Sequence, residues 1–213
     1  LVAMSLCYLA DVDTVHHDDA ALYAAPMSHG AGMYNFIHVR FAAKHVVTAS
    51  GGFDPDEVLD LGKHFGSVAM FAAPTMVRRL VDAAKRRGEG GEGLRTIVYG
   101  GGPMYLADIR DAIATMGQRF VQIYGQGESP MTITSLKREW HEAIEHPRYL
   151  ERLASVGTAQ SVVSVRITDK DGRELPTSET GEIEVKGATV MRGYWQNPEA
   201  NAATLKDGWL RTG

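Results

Sequence analysis

The chain has 213 residues, room for one large domain or for a domain with a small companion. With 44% hydrophobic and 23% charged residues it reads as globular, and a net charge of -4 excludes a polycationic footprint for nucleic acid or anionic membrane. The single cysteine, Cys7, excludes an internal disulfide and a Cys-based zinc cage and points to a reducing, cytoplasmic setting, while no run reaches the roughly 18 apolar residues of a membrane span.

Residues 1–12 carry helical spacing of apolar groups, with Leu6, Leu9 and Ala10 on one side. Ala21 to Ala25 predicts a buried strand closed by Pro26. The turn Ser28-His29-Gly30-Ala31-Gly32 leads into an expected helix from Met33 to about Ala43, and His45 to Thr48 predicts a strand. Asp54-Pro55-Asp56-Glu57 is a helix start, with Asp54 as cap and Pro55 in the first turn. Val68 to Phe71 is the next strand, and Pro74 opens a helix whose Val77, Leu80, Val81 and Ala84 keep the 3.6-residue period. The glycine-rich loop 88–93 separates it from a strand at Arg95 to Tyr99, a turn at Gly100 to Pro103, a helix from Tyr105 to Met116 and a strand from Phe120 to Tyr124.

Strands alternating with helices predict an α/β fold, a parallel sheet covered by helices. Beyond residue 154 the pattern changes. Val163, Val165 and Ile167 alternate with Ser164 and Arg166, an Asp171-Gly172 turn follows, and Gly181 to Gly187 is a further strand. The expected division is an α/β unit over 1–154 and a smaller, mainly antiparallel, barrel-like unit over 155–213. The chain opens inside the apolar run that begins at Leu1 and closes on the turn-like Gly208 to Gly213, the pattern expected of a piece of a longer protein, without a signal peptide.

Ligands of open parallel sheets bind at the carboxyl ends of the strands. Three loops are expected there: Pro26-Met27-Ser28-His29-Gly30, Tyr99-Gly100-Gly101-Gly102-Pro103 and Tyr124-Gly125-Gln126-Gly127-Glu128. Glycines let a flat or anionic ligand approach bare backbone amides. Tyr124 supplies an aromatic face and Glu128 a hard oxygen suited to Mg²⁺. Any one such loop alone is an ordinary tight turn; together they point to a nucleotide or phosphate pocket. GxxxxGK[ST] does not occur, and no GxGxxG stands between a predicted strand and a predicted helix.

Tyr124-Gly125-Gln126-Gly127-Glu128 resembles the YGxTE signature of the acyl-adenylate-forming superfamily, which contains acyl-CoA synthetases, luciferases and nonribosomal adenylation domains. Gly181-Glu182-Ile183, Gly193-Tyr194, Asn197-Pro198, Thr204 and Gly208-Trp209-Leu210-Arg211-Thr212-Gly213 are similar, in order, to its GEI…GY…N…T…DGW…TGD segment. Pro26-Met27-Ser28-His29 and Gly100-Gly101-Gly102-Pro103 resemble its earlier P-hydrophobic-x-His and adenine-loop motifs, so that the likeness spans essentially the whole chain. The resemblance implies that the parent protein activates a carboxylic acid with ATP and Mg²⁺ to an acyl-adenylate and passes the acyl group to coenzyme A. It implies that Gly100, Gly101, Gly102, Pro103, Tyr124, Gly125, Gln126 and Gly127 bind the nucleotide, that Glu128 holds Mg²⁺, and that His29 steers the carboxylate. It also implies an acid pocket near His29, Ala31, Met33, Asn35 and Ile123.

Gly127 stands where the family usually has Thr, leaving phosphate to backbone amides, to Ser129 or to other groups. The phosphate loop with its Lys, the ribose-binding Asp and the C-terminal lid with the catalytic Lys have no counterpart in these residues, so the 213-residue chain alone is expected not to turn over. Mixed, uncharged pocket residues favour a fatty or other apolar acid, with an aryl acid as runner-up. A module loading a carrier protein and a degenerate binding domain are the competing readings, and homodimerisation is left open.

Other clusters read as structural. Adjacent residues point to different sides, so His16-His17-Asp18-Asp19 is expected to be a solvated loop rather than a metal site. His141, Glu142 and His146 read as surface, Cys7 as a buried small hydrophobe, and Lys85-Arg86-Arg87 as a solvated last helical turn, with coenzyme A phosphate contact the lesser reading.

Overall fold

In the computed structural model, which describes residues 1–213, strands and helices alternate through the first two thirds of the chain. The order is α1 (Val2–Asp11), β1 (Ala20–Tyr23), α2 (Gly30–Met33), α3 (Asn35–Arg40), β2 (Lys44–Val47), α4 (Pro55–Phe65) and β3 (Val68–Ala72). Then come α5 (Pro74–Arg87), β4 (Leu94–Tyr99), α6 (Leu106–Met116), β5 (Phe120–Gln126), β6 (Ser129–Leu136), α7 (Arg138–Glu142), α8 (Tyr149–Leu153) and β7 (Thr158–Ala159). The last third holds β8 (Val163–Thr168), β9 (Glu182–Gly187), α9 (Pro198–Thr204), β10 (Leu205–Lys206) and β11 (Trp209–Arg211).

Local chemistry sets several boundaries. The Asp54 carboxylate accepts from the amides of Asp56 and Glu57 and so satisfies two of the free donors at the start of α4. Gly66, at φ 75°, ends the same helix in a left-handed conformation that a side chain resists.

The large sheet runs β2-β1-β3-β4-β5-β6-β7. Its first five strands are mutually parallel, with Leu22 beside Met70 and Val98 beside Val121. Helices α4, α5 and α6 cover one face, where Leu59, Leu80, Ile97, Ile109 and Phe120 are buried in one cluster. Tyr8, Ile37, Val98 and Ile123 are buried in a second cluster on the other face. Ile97 and Val98 fall in different clusters because successive strand side chains point to opposite faces.

The sheet is not wholly parallel. β5 continues through Gly125 and Gln126, turns at Gly127-Glu128, and pairs antiparallel with β6, which in turn pairs antiparallel with β7. Gly125 and Gln126 therefore belong to strand, not to the expected turn. β6 lies outside the predicted elements: Met131 and Ile133 alternate with Thr132 and Thr134, but Pro130 before them and Ser135 after them cut the pattern short. The single helix expected from Met33 to Ala43 is instead α2 and α3, ending at Arg40.

Thr158 and Ala159 still pair with β6, so the chain leaves the large sheet between Ala159 and Val163. The second sheet is antiparallel, in the order β10-β11-β9-β8. Val185 and Leu210 from it pack with Ile133 of β6 in a small core, against which Tyr124 is partly buried. That contact fixes the second sheet beside the end of β5. No helix is long and apolar enough to cross a membrane.

Of the two clusters expected at the surface, His16, His17, Asp18 and Glu142 are exposed and His146 is half-buried, but one residue of each is interior. Asp19 is 2% exposed and accepts from the Ser67 hydroxyl at 2.5 Å, the His16 amide at 2.7 Å and Arg95 at 3.1 Å. His141 is fully buried against Tyr99. Arg87 differs from its exposed neighbours Lys85 and Arg86, being half-buried between the Asp56 carbonyl and Glu89. Cys7 is buried as expected, with its thiol 2.9 Å from Gln160 Oε1; burial pushes its pKa up to about 12.

Candidate active site

The carboxyl ends of β1, β4 and β5 bring the three glycine-containing loops to one edge of the large sheet, where two cavities meet. The first, about 520 Å³, is lined by Gly101, Gly102 and Pro103 after β4, by Gln122 to Gly125 of β5, and by Met104, Ala154 and Val156. The second, about 410 Å³, is lined by Ser28, His29, Gly30 and Met33 on one side, and by Ile123, Gly125, Gln126, Gly127, Pro130 and Met131 on the other. Phe71 and Gly101 complete the second cavity. Gly101, Ile123 and Gly125 line both, so these residues form the shared wall.

Glycine is required where backbones cross closely here. A Cβ on Gly125 would lie 2.3 Å from the Met131 amide nitrogen, and one on Gly100 would lie 2.5 Å from the Ile123 carbonyl oxygen. Side chains at either position would force β5 away from its neighbours. Gly127 is different: it is exposed, and a Cβ there meets nothing within 4 Å. The absence of a hydroxyl at 127 is not imposed by packing.

Tyr124 is half-buried and lines the first cavity beside Gly101 and Gly102. Gly100 sits behind that surface, its backbone against Ile123. Met33 and His29 line the second cavity, His29 being exposed at the start of α2. Ala31 and Asn35 line neither cavity; Ala31 is buried in the second core and Asn35 is half-buried on α3.

Glu128 follows the lining residue Gly127 on the β5–β6 turn and is half-buried. Its Oε1 accepts from the Tyr194 hydroxyl at 2.5 Å, and its carbonyl accepts from the Met191 amide at 2.7 Å. That hydrogen bond to a carboxylate, the largest influence, raises the Tyr194 pKa. Tyr194 is itself held by Asn201, whose side chain accepts from the Tyr194 amide at 2.6 Å and donates to its carbonyl at 3.0 Å. The loop after β9 thus reaches back to orient a carboxylate on the large sheet. Sequence reasoning assigns Tyr194 no chemical role; its place in a signature segment is the signal that points to one.

Ser129 is withdrawn from the cleft. It is fully buried, its hydroxyl 3.3 Å from those of Thr132 and Thr189. Phosphate contact by Ser129 is therefore excluded, and the backbone amides of the turn are the donors left there. No Lys or Arg lines either cavity, and no group of three His, Cys, Asp or Glu residues is arranged to hold a metal by itself. A lone carboxylate still fits Mg²⁺ bound to a polyphosphate, because that ion keeps waters and phosphate oxygens around one or two protein carboxylates. Among the wall residues without a sequence signal, Phe71 reads as ordinary apolar filler of its strand, and Met131 stands on β6, a strand the sequence does not announce.

Comparison with known proteins gives a consistent result. The chain is 33% identical over 196 residues to a feruloyl-CoA synthase of an Amycolatopsis species, covering 92% of this chain and 38% of that protein. It is 32% identical over 192 residues to the medium/long-chain-fatty-acid–CoA ligase FadD8 of Mycobacterium tuberculosis, covering 90% and 32%. Among solved structures, o-succinylbenzoate coenzyme A synthetase (MenE) from Bacillus subtilis, in complex with AMP, superposes with a TM-score of 0.81 at 27% identity, over 100% of this chain and 40% of that one. The chain thus spans about two fifths or less of the length of these proteins. A family profile described as AMP-binding enzyme matches residues 1–195, and the chain belongs to that family.

Proposed function

We propose that the protein to which these residues belong is an acid–thiol ligase, which activates a carboxylic acid with ATP and transfers the acyl group to coenzyme A. One observation carries the reading: two cavities, one beside Tyr124 and one beside His29, share the wall Gly101, Ile123 and Gly125. A nucleotide on one side and an acid on the other would meet at that wall. Family membership and the coenzyme A ligases among the relatives support it.

In this reading adenine lies over Gly101 and Gly102 with the Tyr124 ring on its other face. Open backbone at Gly101 and Gly102 admits a flat base. His29 orients the acid toward the shared wall. The carboxylate oxygen attacks the α-phosphorus, the bond to the bridging oxygen breaks, and pyrophosphate leaves. The carboxylate is already a nucleophile, so alignment and charge neutralisation supply the catalysis and no general base is needed. Glu128, held by Tyr194, is the residue to bind Mg²⁺, which when bound neutralises phosphate charge.

A fatty or other apolar acid suits the uncharged second cavity. Its Phe71 wall favours a second form of the same reading, a compact aryl acid, because an aromatic ring offers a partner for ring-on-ring packing. The test is pyrophosphate release by the full-length protein with a panel of fatty and aryl acids, with and without coenzyme A. Acid-dependent release, and thioester formation only with coenzyme A, is expected. No release with any acid would overturn the assignment.

A further inference from the structure

Behind the second cavity lies a small chamber of about 10 Å³, the room taken by one water-sized group, and every residue lining it is buried. Phe71 is the one residue lining both spaces, so its ring is the partition. Neighbouring residues of one short segment divide between them: Gly30 and Met33 line the outer cavity, Ala31 and Tyr34 the chamber. The chamber wall is apolar apart from His38 and the tyrosine hydroxyls.

Two polar atoms of this wall have no partner. The Tyr34 hydroxyl and His38 Nε2 are buried and unbonded, on side chains of residues 8% and 2% exposed. Their roles are complementary. His38 Nδ1 lies 2.8 Å from the Tyr34 carbonyl oxygen, which can only accept, so Nδ1 carries the proton. Burial lowers the His38 pKa and keeps the ring neutral, leaving Nε2 as a bare acceptor. The Tyr34 hydroxyl is a free donor. Tyr23, also in the wall, is not free, because its hydroxyl is engaged with His45 at 2.9 Å. A hydroxyl group has the matching pair of functions, a proton to donate to His38 and a lone pair to accept from Tyr34.

The entrance suits a flat molecule. A Cβ built on Gly30 would lie 3.8 Å from the Phe71 ring and one on Gly101 3.9 Å from it, so both lips of the slot above the ring lack side chains. We propose that the chamber is the distal end of the acid site and selects a phenolic aryl acid, the Phe71 ring turning aside so that the phenol reaches Tyr34 and His38. This rests on the outer cavity being the acid site. A buried donor and acceptor left unpaired by a deoxy acid make discrimination strong, since such sites reject analogues lacking the hydroxyl far better than apolar pockets reject a missing methylene.

The test uses the full-length enzyme and two matched pairs, benzoic with 4-hydroxybenzoic acid and cinnamic with 4-hydroxycinnamic acid, plus octanoic acid. Pyrophosphate release is expected to give kcat/KM at least about tenfold higher for the hydroxylated member of one pair. Tyr34→Phe should bring that ratio to about one by slowing only the hydroxylated acid, with an unchanged melting midpoint, because the deleted hydroxyl bonds nothing in the protein. His38→Leu should act in the same direction. Turnover of octanoic acid or of both aryl members without hydroxyl preference overturns the chamber while sparing the ligase assignment; the unpaired atoms would then hold only a trapped water. A preference that survives Tyr34→Phe also overturns it. Failure to turn over any of the acids overturns the ligase assignment and the chamber with it.

Discussion

The Tyr194 hydroxyl donates to Glu128 across 66 residues of sequence, and Asn201 holds the tyrosine on both sides of its peptide. A carboxylate on a two-residue turn would otherwise sample several rotamers. Groups that orient a metal-binding carboxylate typically matter tenfold or more, so Tyr194→Phe in the full-length enzyme should lower kcat by about tenfold and raise the Mg²⁺ concentration needed for half-maximal pyrophosphate release. An unchanged Mg²⁺ dependence would remove Tyr194 from the site. His141 makes a second residue-scale prediction. Its Nδ1 donates to the Lys137 carbonyl and its Nε2 accepts from Tyr99, both in the interior, and burial lowers its pKa to about 4. The unfolded chain takes up this proton near pH 6.5, the folded chain only near 4. The contribution, of order 3 kcal/mol, is therefore fully present above pH 6.5 and is lost as the pH falls from there toward 4. Urea midpoints of the chain should fall over that window, and His141→Asn should flatten the dependence.

At the scale of elements, the β5–β6 hairpin is the piece on which both cavities depend. It supplies Tyr124 and Ile123 from one strand and Met131 from the other, and its turn carries Gly127 and Glu128. Its outer strand is braced by the segment that leads into β7. Gly157 there has φ +84°, and a Cβ would fall 2.0 Å from the Ser135 carbonyl oxygen. Gly157→Ala therefore combines a left-handed backbone with a backbone clash, and a loss of more than about 2 kcal/mol is expected by urea denaturation. The displaced β6 should also weaken ATP binding in the full-length enzyme. Asp54 gives the contrasting case, remote from both cavities and acting only as a cap on α4. Asp54→Ala should cost about 1 kcal/mol and leave ATP affinity unchanged.

For the molecule as a whole, two sheets meet at Tyr124, with Val185 and Leu210 of one and Ile133 of the other packed beneath it. The cleft beside this joint lacks cations: neither cavity is lined by Lys or Arg. ATP brings a polyphosphate whose charge must be neutralised in the transition state. The 213-residue chain alone is therefore expected to show no pyrophosphate release under conditions in which the full-length protein turns over, and measurable release would refute this. Much of the architecture was legible beforehand. The 3.6-residue period of Val77, Leu80, Val81 and Ala84, the Asp54 cap and the glycines after β4 and β5 act through neighbouring residues, so sequence by itself determined α1, α4, α5 and α6, most strands, the loops at the sheet edge and the family likeness, but not the short helices α7, α8 and α9. Only the tertiary structure decided that Asp19 and His141 lie inside, that Ser129 is withdrawn while Tyr194 grips Glu128, and that Ala31 sits behind Phe71. Those outcomes depend on contacts between segments far apart in the chain, where burial and hydrogen bonding follow from which surfaces meet, and no local periodicity encodes that meeting.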